Sequence, residues 1–235
     1  MSRDYQQFCG LARALELVGG RWSMLIVRDL LVGPRRFTDL REGLPGIPTN
    51  VLSARLRELE EAGIVRRQAQ PRPLTGVAYE LTEYGLELEQ AVIALGMWGV
   101  RSMKPRREGD FVSVHALSLG LRGMFQPDKA RDHDCDYELR MNGQTLAVSI
   151  RDGAATFASQ DPGTADVVVE TDADTMYELL TGLLTVDDAI ASQRAEVQGK
   201  KTDARRFFEI FRADPPIDAA RAASVISNDK PRSSN

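Results

Sequence analysis

"GIPTNVLSARLRELEEAGIVRR", residues 46–67, carries leucines at 52, 56 and 59, spaced four and three apart. The 3.6-residue period sets Leu52, Leu56 and Leu59 on one narrow stripe of a helix. Pro48 and Thr49 suit its first turn, and Gly63 stands where a left-handed residue closes helices. Opposite the stripe lie Asn50, Ser53, Ala54 and Arg57. A polar face on an isolated helix reads as merely solvated, so the segments on either side decide what this one is for.

Upstream, "FCGLARALELVGG" reads as a helix with Leu11, Leu15 and Val18 on one face and Gly19-Gly20 as its stop. "RWSMLIVRDLLVG" is a second helix, N-capped by Ser23 or begun a turn earlier and ended by Gly33-Pro34. "RFTDLREGL" is a short third. Downstream, "IVRRQ" and "VAYELT" are strand-like and flank the loop "AQPRPLTG". Arg72 sits there between Pro71 and Pro73, whose fixed φ angles hold it on a stiff tip. Helices followed by a two-stranded hairpin are the order of a winged helix-turn-helix.

In that setting the polar face becomes a groove-reading surface. Asn pairs with adenine, and Arg pairs with guanine or phosphate. The expected DNA-contacting residues are Arg36, Thr49, Asn50, Ser53, Arg55, Arg57 and Arg72, with Arg35 beside Arg36 at the backbone phosphates. Net charge is −4, but residues 1–110 hold 16 Lys and Arg against 14 Asp and Glu, whereas residues 111–235 hold 14 against 20. A local basic surface matters for nucleic acid more than the whole-chain balance.

The run from Cys9 to Trp98 resembles the HxlR branch of MarR-like bacterial transcription regulators. The motifs that carry the resemblance are the N-terminal Cys, GGRW, RF..L, GI....L..RL..L...G and YELT..G.EL, in that order. The sequence departs from the family at Pro48, where a capping Ser is common. The resemblance implies a double-stranded operator DNA partner and a homodimer, and it makes Cys9 a candidate oxidant sensor; the residues alone favour Cys9 as a small buried side chain in the first helix. The sequence speaks for a dimer independently, because "AVIALGMWGV", residues 91–100, is apolar all round and offers Val92, Leu95 and Trp98 to a second chain. A two-fold dimer would meet pseudo-palindromic half-sites about one helical turn apart.

A charged segment, "KPRREGD" at 104–110, reads as the linker. Beyond it, "FVSVHALSLGLRGMF" suggests a helix, and then strands alternate, with Tyr137, Leu139 and Met141 one way and Glu138 and Arg140 the other. Asn142-Gly143 and Asp152-Gly153 are two-residue hairpin signals. "DVVVE" is a fourth strand, two helices follow with Thr185 and Asp188 spaced like a capping box, and "AEVQG" and "KTDARRFFEIF" close the domain. This part resembles the sterol-carrier-protein-like fold, which implies an apolar small molecule as a further partner. Met176, Leu180, Leu183, Phe207 and Phe211 are the lining candidates, at a spacing that is also that of ordinary core.

The expected fold class is therefore α+β: a winged helix-turn-helix domain in residues 1–104, an antiparallel sheet with helices in 110–213, and a disordered tail in 214–235. No apolar run approaches the ~18 residues of a membrane span and no signal peptide pattern opens the chain, so the expected location is cytoplasmic. Cys9 and Cys135 are too far apart in sequence to read as a disulfide framework. "HDCD", 133–136, lacks a second ligand cluster for a metal, and no nucleophile or phosphate-loop motif appears. The chain reads as a dimeric, ligand-responsive transcription regulator controlled by an apolar small molecule in its C-terminal domain, a non-enzyme without cofactor. The alternative is a lipid-carrier or lipid-modifying protein with a winged-helix interaction domain.

Overall fold

The structure is a computed structural model that describes residues 4–69, 76–100, 110–158 and 165–212. The Arg72 tip, most of the 104–110 segment and the 214–235 tail lie outside the described residues. The chain divides into two units, one ending at Val92 and one beginning at Ile93. The division falls within a helix.

In the first unit, α1 (Gly10–Val18) and α2 (Ser23–Leu30) precede a two-residue strand, β1 (Arg35–Arg36), then α3 (Phe37–Gly43) and α4 (Thr49–Glu61). β2 (Val65–Ala69) and β3 (Val77–Leu81) form the hairpin, followed by α5 (Glu83–Leu86). β1 joins β3 antiparallel, Arg35 opposite Tyr79 and Arg36 opposite Ala78, giving the sheet order β1-β3-β2. Ile26, Val27, Leu40, Leu52, Leu56, Leu59 and Ile64 make the core. Two expectations are corrected. Ser23 is the first residue of α2, buried, and the cap position belongs to Trp22, held left-handed at φ 82°, a conformation that bulky side chains adopt only when their surroundings impose it. α1 packs through Ala12 and Val18, while Leu11 and Leu15 point outward at 69% and 41% exposure. The small alanine and Val18 are the side chains α1 buries, and its large leucines stay outside.

Gly63 closes α4 at φ 70° as the sequence requires. Thr82 then binds that corner. Its hydroxyl donates to the Gly63 carbonyl at 2.6 Å and accepts from the Gly85 N–H at 3.0 Å. A Cβ on Gly85 would stand 2.1 Å from the Ile64 carbonyl oxygen, so only glycine fits in that approach.

α6 (Glu89–Val100) runs across the division. In the second unit come α7 (Val114–Met124), α8 (Pro127–Ala130), β4 (Cys135–Met141), β5 (Gln144–Arg151), β6 (Ala154–Ala158) and β7 (Val167–Thr171). α9 (Ala173–Thr181), α10 (Val186–Ala191), β8 (Ala195–Gly199) and α11 (Lys201–Ile210) complete it. The sheet order is β6-β5-β4-β7-β8. The expected antiparallel sheet is corrected at one seam: β7 runs parallel to β4, and the other three pairings are antiparallel. β7 does not return beside β6 but crosses to the far side of β4, and a crossover connection delivers a parallel strand. Both predicted hairpin turns are left-handed at both residues, Asn142 and Gly143 at φ 51° and 74°, Asp152 and Gly153 at φ 50° and 73°. Thr185 caps α10 by accepting the Asp188 N–H at 3.1 Å.

Tyr137, Leu139 and Met141 face the helices, where Phe207 and Phe211 stack at 4.5 Å between ring centres and Tyr137 meets Phe207 at 4.8 Å. The Tyr137 hydroxyl donates to the Asp203 carbonyl at 3.0 Å and meets His133 Nε2 at 2.5 Å. Burial pushes the Tyr137 phenol far above its ordinary pKa, so it stays neutral and serves as a hydrogen-bonding post.

Candidate nucleic-acid interface

α4 presents its expected faces. Leu52, Leu56 and Leu59 are fully buried, and Thr49, Asn50, Ser53 and Arg57 are exposed. No side chain caps the helix at Pro48, and the Val51 and Leu52 N–H groups donate to the Pro48 carbonyl at 3.0 Å, which leaves the Thr49 and Asn50 N–H groups for an acceptor such as a phosphate oxygen. The Ser53 hydroxyl donates back to the Thr49 carbonyl at 2.9 Å, a local bond that shortens its reach.

The arginines separate into two kinds. Arg57 is exposed and has no ion-pair partner among the described residues. Arg55 is largely withdrawn, its side chain 17% exposed and paired with Glu58 on the same helix. At the base of the wing, Arg66 pairs with Glu80 at 2.6 Å and Arg67 with Glu60 at 3.2 Å, the Arg67 guanidinium also lying 5.6 Å from the Tyr79 ring centre. Sequence reading found the arginines but not these carboxylates. The Arg55–Glu58 pair was legible as an i,i+3 spacing; the Arg66–Glu80 pair exists only once the strand register is known. Exposed pairs of this kind are weak in water, so they hold the side chains in place and yield readily to phosphate.

Arg36 ends β1 and begins α3, where its N–H donates to the Asp39 carboxylate at 3.1 Å. Arg35 lies beside two carboxylates, Asp29 and Asp39, and burial draws its pKa down. Asp29 is buried in α2, and burial lifts its pKa against the opposing pull of Arg28, paired with it at 2.8 Å. These charges tie α2 and β1 into the frame that carries α3 and α4.

The residues expected at a dimer contact divide as well. Leu95 and Trp98 are exposed at 53% and 68%, whereas Val92 is buried in its own chain. Of the five ligand-lining candidates, Met176, Leu180, Phe207 and Phe211 are packed in the aromatic and aliphatic core, and Leu183 stands outside at 66% exposure. The structure does not bring the five together. Among the described residues no group of three His, Cys, Asp or Glu is placed to hold a metal, and no helix is long and apolar enough to cross a membrane.

A helix with a leucine-anchored inner face, followed at once by a hairpin and preceded by a short strand that closes a three-stranded sheet, defines the first unit as a winged helix-turn-helix. Residues 17–107 match the HxlR-like helix-turn-helix family, and residues 124–216 match the alkyl sulfatase C-terminal family. An HTH-type transcriptional regulator of Mycobacterium bovis is 44% identical over 110 residues, covering 47% of this chain and 68% of the relative. The HTH-type transcriptional regulator YodB of Bacillus subtilis is 38% identical over 92 residues, covering 39% of this chain and 82% of YodB. The solved structure of reduced YodB aligns at 35% identity with a TM-score of 0.37, over 43% of this chain and 100% of that one. A sec-alkyl sulfatase, PisA1, aligns at 21% identity with a TM-score of 0.39, over 48% of this chain but only 17% of the sulfatase. The chain belongs to the HxlR-like helix-turn-helix family.

Proposed function

We propose that this protein is a transcription regulator that binds pseudo-palindromic operator DNA as a homodimer and acts by binding rather than by catalysis. The observation that carries the reading is α4: three buried leucines fix it to the core, and Thr49, Asn50, Ser53 and Arg57 remain exposed on its other side. In this reading α4 lies in the major groove with Asn50 and Arg57 at base edges, and Arg36 and Arg72 reach phosphates. Arg55 supports the helix surface through Glu58. Leu95 and Trp98 are the side chains offered to the second copy. The exposed Phe8, Leu11 and Leu15 of the N-terminal arm and α1 are further apolar surface that dimerisation would cover.

The test starts from operator fragments recovered with the protein from the genome. Arg57→Ala should relax preference at one base position, at a cost of ~1–3 kcal/mol, whereas Arg72→Ala should weaken all sequences alike and reduce the salt slope by about 1. If both variants remain dimeric and bind the operator with unchanged affinity and salt dependence, the DNA surface is elsewhere.

A further inference from the structure

The second sheet has two edges, and among the described residues only one carries protecting charges. β8 carries Glu196 and Gln198 at exposed positions and is followed at once by Lys200 and Lys201, the kind of charged edge that discourages pairing. β6, at the other edge, reads Ala154-Ala155-Thr156-Phe157-Ala158, with no charge and no proline, and its five residues pair one for one with β5.

Its turn determines which backbone groups β6 leaves over. Asp152-Gly153 is a two-residue turn with both φ positive, so Arg151 and Ala154 form a hydrogen-bonded pair. Antiparallel pairs alternate between bonded and non-bonded. Ala154, Thr156 and Ala158 therefore use their N–H and C=O groups on β5, and Ala155 and Phe157 direct theirs away from the sheet.

We propose that β6 pairs with β6 of a second copy of this chain, antiparallel about a two-fold axis through Thr156. In that register Ala155 of each chain exchanges both hydrogen bonds with Phe157 of the other, so every outward donor and acceptor at these two positions is satisfied. Thr156 opposes itself at the intervening non-bonded site, and Ala154 opposes Ala158. The strand is nearly its own reverse, so the pairing sets small residues against small ones and the Phe157 ring against an alanine, and brings no like charges together. Phe157 is already held on the helix side, 4.7 Å from the Arg122 guanidinium and 6.0 Å from the Phe211 ring. A five-residue edge covers far less than the ~1,200 Å² of a free-standing interface. It works as an addition to a dimer joined elsewhere, where the second contact forms at high effective concentration. This goes beyond operator binding and is independent of it, but it rests on the homodimer of the proposed function.

The test uses the full chain with Cys9→Ser, which removes the exposed thiol, and Thr156→Cys. Opposed residues at a non-bonded site stand about 4.5 Å apart between Cα atoms, within disulfide reach. Mild oxidation should therefore give a covalent dimer quickly, and Glu196→Cys on the opposite edge should not. Ala155→Pro removes one outward N–H from each chain without touching the bonds to β5, and should slow cross-linking about tenfold or more. Thr156→Lys, which sets two like charges on the axis, should weaken self-association in sedimentation while leaving the melting temperature of the dilute protein unchanged. Cross-linking of Thr156→Cys no faster than of Glu196→Cys overturns the proposal. So does unchanged sedimentation of Thr156→Lys.

Discussion

Cys9 and Cys135 show how place decides the chemistry of one residue type. Cys9 is not the buried helix residue its sequence suggests but is exposed at the extended position just before α1, where the N–H groups of Ala12 and then Leu11 hold its thiol below the ordinary pKa. Cys135 is buried in β4, and burial raises its pKa. A lowered pKa means that the thiolate is present at lower pH, so alkylation of Cys9 should rise through a range below that of a free cysteine and then level off. Cys135 should react only when the protein unfolds. Mass spectrometry of the labelled chain across pH 6–9 reads both, and equal labelling of the two thiols in folded protein contradicts the assignment. Tyr137 gives a second expectation. Tyr137→Phe keeps the ring contact with Phe207 but removes the hydroxyl that joins the part-buried Asp203 carbonyl to His133 Nε2, at a cost of about 1–3 kcal/mol. Denaturant unfolding checks this, and a variant as stable as the parent would show that water replaces the hydroxyl.

Helices and strands divide into those whose sequence period names their surroundings and those that depend on a neighbour. α4 is of the first kind, and its inner stripe is the one its leucine spacing describes. β1 is of the second, because two arginines carry no period and become a strand only through β3. α6 is also of the second kind. It is apolar on every side, and from Ile93 onward the structure assigns its sides: Ile93, Gly96 and Met97 face α7, whereas Leu95 and Trp98 lie on the other side. A Cβ on Gly123 of α7 would stand 2.7 Å from Met97 Sδ and 3.2 Å from Ile93 Cγ2, but one on Gly99 of α6 meets nothing within 4 Å. The two glycines should therefore respond with opposite signs. Gly99→Ala gains helix propensity, up to about 1 kcal/mol, and Gly123→Val overpacks the seam at a cost of about 1–3 kcal/mol. Thermal melts separate them, and a Gly123→Val protein as stable as the parent would mean that α6 and α7 do not pack as described.

Across the chain, charge is distributed against the proposed function in one half. Residues 111–235 carry 14 basic against 20 acidic side chains, and residues 1–110 carry 16 against 14. The acidic half repels DNA at long range, an effect that salt screens within a Debye length of about 10 Å at 0.1 M. A chain ended near Lys104 should bind nonspecific DNA more tightly than the full chain at low salt, with the difference vanishing as salt rises. The same cut removes α7 from Ile93 and Met97, so the shortened chain should self-associate more strongly in light scattering. Equal nonspecific affinity at low salt, together with equal light scattering, contradicts both arguments.

Features that depend on residues adjacent in the chain were legible in advance. The leucine stripe of α4, its glycine stop and the Asn142-Gly143 and Asp152-Gly153 turns follow from helical period and local backbone sterics, which act over a few residues. The family motifs from Cys9 to Trp98 are legible for the same reason. Residues brought together from a distance were not. Glu80 reaches Arg66 only through the strand register, Arg57 is set apart only because the neighbouring arginines find carboxylates, and Leu11 faces outward while Ala12 and Val18 are the residues α1 buries. β7 lies parallel to β4 because its connection crosses the sheet. Burial and ion pairing are properties of the folded path, and a linear sequence lists the partners without saying which of them meet.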